Sequence, residues 1–118
     1  MILPSKKLVQ NVLELPLDAI PDNIKLICDS KYYNNLKQTL FISYNDGSEP
    51  IILNIYEFAF KCKEWTYKQQ VSIKSGKTKF NGYFAECIFG LFNGDTEIES
   101  IFKASEQVLK EVEILNSN

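Results

Sequence analysis

Two residue types are missing altogether. The chain has no histidine and no arginine, so all 13 of its basic side chains are lysine. Without an imidazole there is no ordinary general base, proton shuttle or nitrogen metal ligand near neutral pH. Without a guanidinium there is no planar fork for bidentate contact with phosphate or guanine. The usual small-enzyme mechanisms are therefore not expected, and neither is a cofactor.

Cysteine is scarce. Cys28, Cys62 and Cys87 are odd in number and widely spaced, unlike a disulfide framework or a CxxC metal clip. Each falls among apolar neighbours, so all three are expected as reduced, buried thiols acting as small hydrophobes. Long apolar runs are lacking too, and none approaches the roughly 20 residues that span a bilayer. The opening MILPSKKLVQNV puts its lysines after the first apolar residues and offers no small-residue cleavage site. It is not expected to act as a signal peptide, and the expected location is cytoplasmic. What remains is an ordinary globular composition, 45% apolar and 24% charged over 118 residues, which suits one domain. The abundance of lysine, asparagine and isoleucine would suit an AT-rich genome.

Periodicity then divides the chain. Residues 5–15 place Leu8, Val9, Val12 and Leu13 at helical spacing, with Ser5 as cap and Pro16 as stop. Residues 23–28 alternate Ile24, Leu26 and Cys28 against Lys25 and Ile27, a strand pattern. The polar stretch 29–37 reads as a loop. Residues 39–53 read as two strands around an Asn-Asp-Gly turn, and Pro50 limits how the second can pair. Asn54 caps a helix over 55–69. Residues 71–75 and 82–92 read as strands joined by GKTKFN, and Asn93-Gly94-Asp95 turns the chain. Thr96 and Glu99 form a capping box for a final helix over 96–115. Its apolar stripe is Ile98, Ile101, Phe102, Ser105, Val108, Leu109 and Val112. The reading is a single α+β domain in which helices pack mainly on one face of an antiparallel sheet, in the order α-β-β-β-α-β-β-α. No internal repeat is apparent.

The middle helix carries more aromatic surface than docking requires. Wound at 100° per residue, Ile55, Phe58, Ala59, Cys62, Trp65 and Thr66 share a core stripe. Glu57, Lys61, Glu64 and Lys68 lie on a polar side, in favourable i,i+4 order. Tyr56, Phe60 and Tyr67, bordered by Lys63, make a second stripe. Either the N-terminal segment covers it, or Tyr56, Phe60, Lys63 and Tyr67 bind another protein. Tyr32, Tyr33 and Phe41 could enlarge either arrangement. An intermediate packing is expected, with Phe60 buried and a tyrosine at the rim, because phenylalanine has no polar end to leave in water.

Charge is segregated. Residues 61–79 hold six lysines against Glu64 alone, a balance of +5, while residues 80–118 hold seven acids against Lys103 and Lys110, a balance of −5. Packing of the last helix beside the lysine hairpin would neutralise both. Left open, the 61–83 region offers Lys74, Lys77 and Lys79 with Phe80 and Tyr83 to nucleic acid. The SGKT at 75–78 has the tail of a phosphate-binding loop, but the earlier glycine that the motif requires is Val71. It reads as a lysine-bearing hairpin. The expectation is a non-enzymatic protein-binding module, of the inhibitor or immunity type found on bacterial mobile elements, that acts by covering a partner's surface. Nucleic-acid binding is the alternative, and a homodimer is compatible with either.

Overall fold

The computed structural model describes residues 3–16, 18–28, 38–80 and 82–117. Helix α1 (Lys6–Val12) is followed by strands β1 (Asn23–Cys28), β2 (Gln38–Ser43) and β3 (Ile51–Asn54). Helix α2 (Ile55–Lys68) leads into β4 (Lys74–Lys77), β5 (Tyr83–Cys87) and β6 (Gly90–Gly94), and α3 (Glu97–Asn116) closes the order. Each group of three strands is an antiparallel meander, β1-β2-β3 and β4-β5-β6. The chain thus lays down a meander and a helix twice.

The antiparallel α+β class and the element order are as read from the sequence, with two refinements. The 82–92 run turns back on itself at Ile88–Phe89, so that Cys87 faces Gly90 across the β5–β6 hairpin. Gly90 sits at φ +142°, where a side chain would be strained. The strand expected over 71–75 begins only at Lys74, because the end of α2 consumes the preceding residues. Gln69 closes the helix, Gln70 adopts φ +65°, and Val71 N–H donates back to Thr66 O at 3.0 Å. This left-handed exit from a helix satisfies carbonyls that would otherwise be orphaned.

Local chemistry starts the helices where the sequence placed them. Ser5 Oγ accepts from Leu8 N at 3.1 Å, Asn54 Oδ1 from Tyr56 N at 2.8 Å, and Thr96 Oγ1 from Glu99 N at 3.1 Å. The meanders follow period-two patterning. Ile24, Leu26, Leu40, Ile42, Ile51 and Leu53 line one face of the first sheet, while Lys25 and Ile52 are exposed on the other. In the second sheet Ala85 stands opposite Phe92 on the side covered by α3. The principal extents of 49 × 45 × 18 Å fit one layer of helices on one layer of strands.

The core joins both halves. Leu8, Val9, Leu40, Ile42, Ile55, Phe58, Cys62, Ala85, Phe102 and Val108 belong to one buried cluster. The rings of Phe58 and Phe102 meet edge to face with centroids 5.7 Å apart, pinning α2 to α3. The six α2 residues assigned to the core are the six that are buried. Cys62 is fully enclosed, and that burial pushes its thiol well above the ordinary cysteine range. Cys87 is half-buried and packs against this cluster, less enclosed than the mostly buried thiol expected, and the Cys28 side chain lies outside the described residues. In the native state Cys62 should resist an aromatic disulfide reagent that labels Cys87 slowly. Rapid labelling of Cys62, followed by peptide mapping, would contradict this packing.

Candidate binding face

Tyr56, Phe60, Lys63 and Tyr67 succeed one another at steps of four, three and four, so an α-helix sets them in a single row. The row faces outward. Tyr56 is 67% exposed, Phe60 63% and Tyr67 71%. Phe60 is therefore not buried as expected. The N-terminal cover fails for a geometric reason: α1 docks on a different side of α2, where Val12 and Leu13 line a recess together with Lys61, Glu64 and Trp65. Lys68 Nζ pairs there with Glu14 Oε1 at 2.6 Å, not with Glu64 one turn before it. That ammonium holds the Glu14 carboxyl below its usual range. Tyr32 and Tyr33 lie outside the described residues, and Phe41 is half-buried in β2.

All of the row but Tyr67 lines a groove of about 570 Å³. Tyr56, Ala59, Phe60 and Lys63 line one side, Ile98 and Ile101 of α3 the other, with Tyr83 of β5 and Gln38 of β2 between them. Glu97 also lines the groove and accepts a hydrogen bond from Ser75 Oγ at 2.8 Å. A shallower recess of about 270 Å³ continues the surface past Lys63 and Tyr67 to Ser72 and Ile73.

The structure thus brings together residues that the sequence had assigned to different roles. Tyr83, read as a stacking residue for nucleic acid, shares the groove with Tyr56, Phe60 and Lys63. Lys74, Lys77 and Lys79 are exposed on and just beyond β4, and Phe80, at 91% exposure, occupies the tip of the β4–β5 turn. Ile98 and Ile101 were legible only as core. Their spacing marks the buried stripe of α3, and nothing in it reports that the first turns of that stripe form a groove wall.

Most of the lysines in 61–79 form no ion pair among the described residues, although Lys61 lies near the Glu14 carboxylate. Among the described residues the ion pairs are Lys7–Glu113, Lys68–Glu14 and Lys103–Glu99, so Lys61, Lys63, Lys74, Lys77 and Lys79 take part in none. The last helix packs on β4 and β5 as expected, but among the described residues none of its acids forms an ion pair with the hairpin lysines. Glu113 pairs with Lys7, Glu106 accepts from Ser5 N at 3.0 Å, and Glu111 accepts from Gln107 on its own helix. Only Glu97 reaches toward β4, and it meets a hydroxyl. Glu86 stands opposite Lys74 in register without closing an ion pair.

Among the described residues no three histidine, cysteine, aspartate or glutamate side chains converge to hold a metal, and no helix is long and apolar enough to cross a membrane. Comparison with protein-family models, curated proteins and solved structures finds no match. The chemistry of the face is thus the guide to its use.

Proposed function

We propose that this protein is a non-enzymatic binding module that docks on another protein through the outward face of α2 and the adjoining groove. One observation carries the reading: three aromatic rings in one row are 63–71% exposed beside an apolar cleft. Exposed rings of this kind are the usual anchors of an interface, since covering them releases ordered water at little cost in side-chain entropy. The core stripe of α2 already docks the helix, so the second row is free for a partner. A module of this kind acts by occupying a partner's surface, as an inhibitor does. The unpaired thiols of Cys62 and Cys87 suit a reducing compartment such as the cytoplasm.

Lys74, Lys77 and Lys79, exposed and in no ion pair among the described residues, favour a second reading, in which single-stranded nucleic acid follows them and stacks on Phe80 and Tyr83. Affinity capture from native lysate, with and without nuclease, separates the two. A protein that survives nuclease treatment and is lost with Phe60→Ala, whose melting temperature should match wild type, supports the first reading. The expected loss in association is about 2 kcal/mol, roughly 30-fold. Capture that disappears with nuclease, or is indifferent to Phe60→Ala, would refute it.

A further inference from the structure

We infer that the segment received by this face is acidic: an apolar side chain enters the groove between α2 and α3, flanked by carboxylates that meet Lys63 and the lysines of β4. This rests on the protein-binding reading above and specifies the partner's chemistry.

The position of Lys63 is the first reason. It stands inside the aromatic row, one helical turn from Phe60 and one from Tyr67, and is half-buried before any partner arrives. No partner can cover those rings without also removing water from its ammonium. Burying an unpaired ammonium carries a desolvation cost that would cancel much of the gain from the rings. A carboxylate at that point removes the penalty. No carboxylate within the described residues pairs with Lys63.

The second reason is the field around it. Residues 61–79 carry +5 in a chain whose net charge is −2, so the remainder carries −7. Of the lysines in 61–79, Lys61 and Lys68 lie on the α1 side of α2, and Lys63 with the exposed Lys74, Lys77 and Lys79 gives the other side a local positive excess that attracts an acidic segment. Glu97 is the one carboxylate among the described residues that line the groove. Held against Ser75 of β4, it disfavours a carboxylate beside itself and leaves Lys63 on α2 as the cation of the groove lining that receives one, with Ile98 and Ile101 for the apolar group.

A second copy is a poor occupant. A two-fold contact would bring the same lysines together, and the acids of α3 are already engaged with α1 and with their own helix. Nucleic acid is disfavoured in the groove itself, where Lys63 is the one cation among the described lining residues and Ile98, Ile101 and Glu97 offer a phosphate backbone no further partner.

A random-peptide library displayed on phage, selected on the immobilised wild-type protein, tests the inference. Enriched peptides should cluster aspartate and glutamate around an aromatic or branched apolar residue. Synthetic copies with every acid replaced by its amide should bind at least about ten-fold more weakly, and Lys63→Gln should weaken the acidic peptides by a similar factor. Equal binding of the amide twins would overturn the acidic partner while leaving the face intact, provided Phe60→Ala still abolishes binding. Indifference to Phe60→Ala, or no enrichment at all, would overturn the face as well. A single-stranded oligothymidine that outcompetes every peptide would hand the surface to nucleic acid.

Discussion

Replacing Phe58 with alanine should destabilise the protein by about 3–5 kcal/mol, while the same replacement two residues later, at Phe60, should change stability by no more than about 0.5 kcal/mol. The two residues share a helix, a side-chain type and nearly a position, so the contrast isolates environment. Phe58 is fully enclosed and meets Phe102 edge to face, and its removal leaves a cavity where α2 and α3 join the sheets. Phe60 is 63% exposed and its truncation leaves no cavity. A loss at Phe58 of this size is a large part of the roughly 5–15 kcal/mol that holds an ordinary domain folded. Denaturant titration of both variants measures the difference. Equal losses would mean that α2 is wound with the wrong row inward.

Leu8→Ala should cost about 2–5 kcal/mol, although α1 is only seven residues long. A helix this short has no stability of its own in water and exists because it is docked. Leu8 and Val9 are fully buried and Val12 nearly so, and they supply the apolar attachment. The polar links, Lys7–Glu113 and Lys68–Glu14, are exposed pairs of the kind that contribute little. Lys7→Ala is therefore expected to leave the denaturation midpoint almost unmoved. Hydrogen exchange adds a local readout, because Leu8→Ala should release the α1 amides before those of α3. A loss near zero for Leu8→Ala, or a larger one for Lys7→Ala, would reverse the assignment of what holds α1.

The sequence by itself determined what depends on near neighbours. Caps at Ser5, Asn54 and Thr96 were legible because a side-chain oxygen acts on amides two or three residues away. The buried stripe of α2 was legible in full, since helical periodicity alone sorts Phe58, Cys62 and Trp65 from Glu57 and Lys61. The 82–92 run shows the limit of this reasoning. A β-rich stretch looks continuous until the backbone freedom of Gly90 is used for a turn, and glycine permits that turn without demanding it.

Tertiary structure decided the candidate site. Which side of α2 the first helix covers depends on the path between Pro16 and Asn54, and no local pattern encodes the result. Burial of Phe60 was a sound expectation for a lone phenylalanine, yet docking of α1 beside Trp65 left it in the open. Where the acids of α3 point was likewise undetermined, because segregated charge in a sequence is equally consistent with mutual neutralisation and with a free basic surface. Their engagement with α1, and the meeting of Tyr83, Ile98 and Ile101 with the aromatic row, come from packing two meander-and-helix halves together. Periodicity tells a helix which of its faces are apolar, but only the packing of the other elements determines which of those faces is left uncovered.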